Sequence, residues 1–288
     1  MAITLNLEYT PRSPKPDVPF TESSFVRCST QYSFNVSDIG IALVDLWNFG
    51  YDDGPLLNSL GFELSLERGV SHAQRKRAII EEKIAPVVNE LRQLGVRIFH
   101  CNHPLFLRNF PQWSLSTTVI ERERLDREDV QSSPTTIASR NSYPPSDWVQ
   151  RWKKQHSDDV FNVEWSEMQG NVYEQIKIPQ SVTPVDGDLL VYSKEQFHRL
   201  LTETRIKVLF YMGFEAEECI QNSRYGIRNM NQYGYMTNIV RDCTTTYESA
   251  ETLPGLWRTK VAIETIEKFY GYSITADDLV SSLRISNR

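Results

Sequence analysis

Residues 206–227 read IKVLFYMGFEAEECIQNSRYGI. The first eight form a compact apolar run ending in a glycine, the pattern of a strand buried on both faces of a parallel sheet. Beyond that glycine the chain reads as a helix running through Cys219 to about Tyr233. A thiol therefore stands where a strand hands over to a helix. A buried cysteine acting as a small hydrophobe would suit either element. The junction is where a reactive one would sit.

Moving away from this stretch in both directions, the same alternation repeats. IGIALVDL (39–46) and VRIFHC (96–101) are strands of the same buried type. Between them, 73–94 carries Ile80, Ile84, Val87, Val88, Leu91 and Leu94 on one helical face, with Gly95 as its C-terminal cap. Pro86 bends that helix or marks a second start. DLLVYS (188–193) predicts a strand and a helix from Glu195. YMTNIVRD (235–242) is another strand, and WRTKVAIETIEKFYG (257–271) a helix stopped at Gly271. The tail YSITADDLVSSL offers a short strand and a helix capped near Thr275. Strand and helix in alternation mean a parallel sheet covered on both faces: a doubly wound, three-layer α/β/α domain.

Two regions stand apart. Residues 1–37 read as an extended arm, broken by Pro11, Pro14, Pro16 and Pro19. The remainder, 38–288, reads as a single domain with an insertion at about 104–187, which carries Pro134, Pro144, Pro145, the charged run ERERLDRED and the Trp-rich DWVQRWKK. A lid, a subunit contact or a solvated excursion would each fit that composition.

The 288 residues carry a net charge of −6, with a pI near 5.5. No long basic run is present, which argues against a nucleic-acid partner. No window approaches 18 consecutive apolar residues, so no membrane partner is expected. MAITLNLEYTPRSPKP lacks the layout of a signal peptide, and Cys28, Cys101, Cys219 and Cys243 match neither a zinc ribbon nor a dense disulfide scaffold. The expected home is the cytoplasm, with free thiols.

In open parallel sheets, ligands bind beyond the carboxyl ends of the strands. Three reactive side chains fall at such ends: Asp45 after IALV, Lys194 after DLLVYS, and Cys219 after IKVLFYMG. Each has an ordinary alternative: a capping aspartate, a solvated lysine, a buried thiol. At a helix N-terminus the thiol would be shifted toward thiolate. Glu215, Glu217 and Glu218 would oppose that if close, so a cation becomes necessary, and Lys194 is the candidate. Trp47, Asn48 and Phe49 follow Asp45 and are candidates for the substrate pocket or for plain packing.

Taken together, the aspartate in IALVDLWN, the lysine in VYSKEQFHRLL, and MGFEAEECI with YGYMTNIVRDCT behind it resemble the isochorismatase-like cysteine hydrolases, a superfamily that includes nicotinamidases and N-carbamoylsarcosine amidohydrolases. The resemblance covers about 39–103 and 186–285. It implies a catalytic triad of Asp45, Lys194 and Cys219, a cis peptide just before Ala216, and an oxyanion hole made by the backbone amides of Ala216 and Cys219. It implies a small amide or ureido substrate, a thioester intermediate, no cofactor, and a homo-oligomer, dimer or tetramer. Where the nicotinamidase branch holds metal, Cys101 stands in the aspartate's place although His103 matches, so no metal is expected at His100 and His103. Three rivals remain at this point: a vinyl-ether hydrolase that needs no thiol, a non-catalytic binding protein on the same scaffold, and a redox-sensing thiol.

Overall fold

The computed structural model describes residues 2–55, 70–131, 143–161 and 175–286. Eight strands form one sheet: β1 (Ala2–Tyr9), β2 (Cys28–Asn35), β3 (Ile39–Val44), β4 (Arg97–Cys101), β5 (Leu189–Val191), β6 (Val208–Gly213), β7 (Met236–Thr244) and β8 (Gly271–Ile274). Their spatial order is β2-β1-β8-β7-β6-β3-β4-β5. The six strands from β3 onward pair in parallel, while β1 is antiparallel to both its neighbours. This is the doubly wound α/β architecture expected from the alternation.

The central strands are buried throughout. Ile41 and Leu43 of β3, with Phe210 and Met212 of β6, enter one half of the core. Ala42 and Val44, with Leu209 and Tyr211, enter the other. On the first face pack α1 (Val70–Ile79), α2 (Ala85–Gln93) and a C-terminal helix, through Ile80, Ile84, Val88 and Leu283. The insertion contributes α3 (Pro104–Leu107), α4 (Gln112–Ser116), α5 (Val119–Gln131) and α6 (Ser146–Phe161). The second face is covered by α7 (Lys194–Thr204), α8 (Cys219–Asn222), α9 (Ile227–Gln232) and α10 (Trp257–Phe269), through Phe197, Ile220, Ile227 and Ile266. The C-terminal helix is α11 (Ala276–Ser286), and its first turn is capped by Thr275, whose hydroxyl accepts from the Asp278 amide.

The helix read over 73–94, with a bend or second start at Pro86, runs as three consecutive segments. A π turn over Ile80–Ile84 separates α1 from α2, and Pro86 sits in the first turn of α2, where a missing N–H costs least. Gly95 does cap α2, at φ +79°, and its amide donates to the Arg92 carbonyl.

The first 37 residues are more than an arm. The alternation in AITLNLEY puts Ile3, Leu5 and Leu7 into the core, each contributing about 2 kcal/mol by burial, and the polar residues between them outward. β1 thereby inserts between β8 and β2, and the prolines lie in the connection between β1 and β2. At the far edge, the Ser116 hydroxyl accepts from the Leu190 amide of β5, so the start of the insertion covers that strand. The rest of the 104–187 reading falls partly on 132–142 and 162–174, which lie outside the described residues.

The strand order reverses between β3 and β6. β4 and β5 lie on one side of β3, and β6, β7 and β8 on the other. The crevice beyond that pair of strands is where such sheets bind ligands.

Candidate active site

Asp45 follows the last residue of β3 and Cys219 opens α8, six residues after β6 ends. The two meet over the reversal point, where thiol and carboxylate act on each other's protonation. Asp45 is buried and adopts φ +46°, a left-handed conformation that aspartate tolerates better than most residues. Its amide donates to the Cys101 carbonyl at 3.0 Å. The Tyr225 hydroxyl donates to Asp45 Oδ1 at 2.8 Å, and the Tyr225 carbonyl in turn accepts from the Tyr211 hydroxyl of β6.

Gly213 makes the approach possible. It has φ +117°, and a Cβ there would fall 2.1 Å from the Val44 carbonyl oxygen. The loop beyond it is fastened to the end of β7. Thr244 Oγ1 donates to the Gly213 carbonyl at 2.7 Å, and the Ala216 amide donates to the Thr245 carbonyl at 2.9 Å. Arg75 of α1 reaches the same segment, with Nε 2.9 Å from Thr245 Oγ1.

The reading through Cys219 as one helix to Tyr233 is corrected: α8 spans only 219–222, and α9 begins at Ile227. A single turn has little macrodipole to offer. The thiol is accordingly pushed well above its ordinary range, first by burial, then by the charges of Asp45, Glu215 and Glu218. Burial also raises Asp45, to about 6, although its hydrogen bonds with Cys219 and Tyr225 and the charge of Lys76 pull it down. At neutral pH the resting pair is thus a carboxylate facing a protonated thiol.

The lysine expected beside this pair takes a partly exposed place. Lys194 is the first residue of α7, its side chain is 45% exposed, and its ammonium lies 3.8 Å from Glu195. The charge of Lys76, on α1, favours the ionised form of Asp45. The Lys76 side chain is 2% exposed, and its Nζ lies 3.0 Å from Glu215 Oε1, off the line of an aligned hydrogen bond. The rings of Phe214, Phe49 and Trp47 surround it at 5.1, 5.2 and 5.9 Å. On the other side of Glu215, Oε2 lies 3.2 Å from Nε2 of buried His72. Either charge alone would cost several kcal/mol at this depth; as a pair they offset each other. Lys194 is displaced because β5 ends at Val191, and the Ser193 hydroxyl, accepting from the Gln196 amide, starts α7 there.

The Ala216 amide is engaged by Thr245, and the cis peptide joins Phe214 to Glu215, not Glu215 to Ala216. Among the described residues, the amides of Glu215 and Cys219 have no acceptor.

Of Trp47, Asn48 and Phe49, only Trp47 keeps some exposure. Its Nε1 donates to Asn102 Oδ1 at 3.0 Å. Asn48 is a buried clip, accepting from the Lys177 amide and donating to the Asp53 and Gln175 carbonyls. Phe49 is sealed behind Lys76. His100 is buried against Asp188 at 2.9 Å, and the His103 ring accepts from the Leu105 amide at the start of α3. These two histidines thus have separate structural duties. A groove of about 1260 Å³, lined in part by Tyr51, Arg77, Phe106 and Lys177, contains none of Asp45, Lys76, Glu215 or Cys219. The Trp47 and Phe106 rings, 5.8 Å apart, relate that groove to the cluster.

No family model matches the sequence, and no curated protein matches it significantly. Solved structures do match. A cysteine hydrolase from Pseudomonas syringae pv. phaseolicola 1448A aligns with a TM-score of 0.50 and 11% identity, over 88% of this chain and 95% of that one. An isochorismatase family protein from Desulfovibrio vulgaris subsp. vulgaris str. Hildenborough has a TM-score of 0.44 at 11% identity, covering 87% and 99%. N-carbamoylsarcosine amidase from Thermoplasma acidophilum has 0.40 at 12%, covering 83% and 97%. The first of these likenesses is one of fold: the chain shares the fold of that cysteine hydrolase.

Proposed function

We propose that the chain is a cysteine hydrolase that cleaves a C–N bond of a small amide, ureido or carbamoyl compound through a thioester. The observation that carries this reading is the juxtaposition of the Cys219 thiol and the Asp45 carboxylate at the reversal point of the sheet, close enough for each to act on the other's proton. A thiol with a raised pKa is a poor nucleophile at rest, and the adjacent base removes that obstacle.

Asp45 takes the proton from Cys219 as Sγ attacks the substrate carbonyl, giving a tetrahedral oxyanion. The amides of Glu215 and Cys219 are the donors left to receive it, each typically worth about 3 kcal/mol in such sites. The C–N bond then breaks as Asp45 returns the proton to the departing nitrogen, leaving the acyl group on sulfur. Water, deprotonated by Asp45, attacks the thioester; the acid leaves and the proton returns to sulfur. Tyr225 holds the carboxylate in place throughout.

Among the described residues no helix is long and apolar enough to cross a membrane. We place the enzyme in the cytoplasm as a homo-oligomer, a state that light scattering after size exclusion measures directly. The deciding experiment is an ammonia-release screen over amides, carbamoyl compounds and ureas, run beside Cys219→Ser and Cys219→Ala. Ammonia from the parent enzyme alone supports the proposal; turnover by Cys219→Ala at near the parent rate would falsify it.

A further inference from the structure

We propose that Lys76, brought in on α1 and clamped by Glu215, is the cation that sets the charge of the Asp45–Cys219 pair, the part that the sequence pattern alone assigns to Lys194. The inference rests on the hydrolase reading for its purpose but on the cluster's own geometry for its content.

The groups acting on Asp45 come from five places in the chain. Cys219 and Tyr225 hydrogen-bond to it from α8 and from the segment before α9, Lys76 and Glu215 act by charge from α1 and the loop after β6, and the Cys101 thiol lies close on β4. Of these, Lys76 alone is cationic. Glu218 adds a further negative charge near the thiol, and His72 faces Glu215. The thiol's surroundings are therefore acidic, and proton transfer from sulfur would leave still more negative charge in a buried space. One ammonium, held in a ring of three aromatic side chains and sealed from water, opposes that accumulation. Water does not screen it there.

Glu215 has two functions in this arrangement. It fixes the ammonium at 3.0 Å, and it offsets part of its charge. Its place in the chain suits both: Glu215 is four residues before Cys219, and its carbonyl accepts from the Glu218 and Ile220 amides on either side of the cysteine. A change at the Lys76–Glu215 contact is thus transmitted directly to the nucleophile loop. Lys76 is a positioning and charge-setting residue, acting on substrate through the pair rather than by contact.

Opposite charges on Lys76 and Glu215 make the test distinctive. Removing Lys76 raises the acid limb of Cys219 reactivity; neutralising Glu215 lowers it. Loss of packing alone would move both variants the same way. The measurement is the rate at which iodoacetamide alkylates Cys219, followed by peptide mass mapping from about pH 5 to about pH 9. It needs no substrate, so it stands or falls separately from the ammonia screen that decides the hydrolase reading. Lys76→Met should slow alkylation at neutral pH about tenfold and move the limb up by about one pH unit. Lys76→Arg should restore most of the rate, Glu215→Gln should move the limb down, and Lys194→Met should stay within about twofold of the parent. If Lys76→Met does not fold, the Glu215→Gln profile decides alone. A larger shift from Lys194→Met than from Lys76→Met, or an unshifted or upward-shifted Glu215→Gln profile, overturns the inference.

Discussion

The phenol of Tyr225 and the carboxylate of Asp45, 180 residues apart in the chain, meet in a 2.8 Å hydrogen bond inside the protein. This bond favours the ionised carboxylate and opposes the burial that lifts Asp45 to about 6. Tyr225→Phe keeps the ring and deletes the donor. The acid limb of activity should then rise above pH 6, and kcat should fall about tenfold at neutral pH, the scale of one buried hydrogen bond to a charged group. A pH–rate profile of the variant tests this, and an unmoved limb would remove Tyr225 from the site.

Asp45→Asn should separate stability from activity. The folded-state pKa of Asp45 is raised, so the folded form holds its proton more tightly than the unfolded chain does. Its contribution to stability is then fully present below the unfolded value near 3.8 and is lost as pH rises through about 6. Asparagine tolerates the left-handed backbone and cannot ionise. The variant should be inactive yet more stable at pH 7, by at most about 3 kcal/mol, with the gain vanishing at low pH. Denaturant melts at the two pH values give the answer.

Gly213→Ala places a methyl group against the Val44 carbonyl, in a backbone conformation that alanine resists. Because β3 and β6 carry the base and the nucleophile, a change at their crossing should destabilise the fold by about 3 kcal/mol or more and abolish turnover together. A melt that shifted by less than about 1 kcal/mol would show that the crossing relaxes easily.

Asp188 should matter for folding and not for chemistry. It accepts from His100 at 2.9 Å and from Arg92 at 2.6 Å, deep in the protein. Asp188→Ala strands both partners and should cost about 3–5 kcal/mol, with kcat per folded molecule unchanged. Loss of turnover in the folded fraction would instead tie His100 to the site.

Much of this is legible in the chain. The runs at 39–46, 96–101 and 206–213 announce strands buried on both faces, because no polar face interrupts them. Asp45 and Cys219 stand out for the same reason: a polar group just past such a run lands at the open end of the sheet. Lys76 escapes a sequence reading because lysines in helices are usually solvated. Yet His72, Lys76, Ile80, Ile84 and Val88 follow one another at intervals of four, and all are buried. Two ionisable residues continuing an apolar stripe are the available signal. Lys194 lies partly exposed, because proximity along the chain to a strand end does not fix where a long side chain turns. The N-terminal strand is hidden by prolines just beyond it, which draw the reading toward irregular structure while the alternation of Ile3, Leu5 and Leu7 goes the other way.

The wide turn at Ile80–Ile84 also has a consequence for how this protein can evolve. It accommodates one residue more than an ordinary helix needs while the segments on either side keep their facing. Deleting a single residue there would let the rod close up into regular α-helix with the preceding segment facing as it does, whereas the same deletion in an ordinary helix swivels what precedes it by about 100°. The ammonium of Lys76 would keep its place against the sheet. An alignment would see a one-residue gap; the pocket would keep its counter-ion.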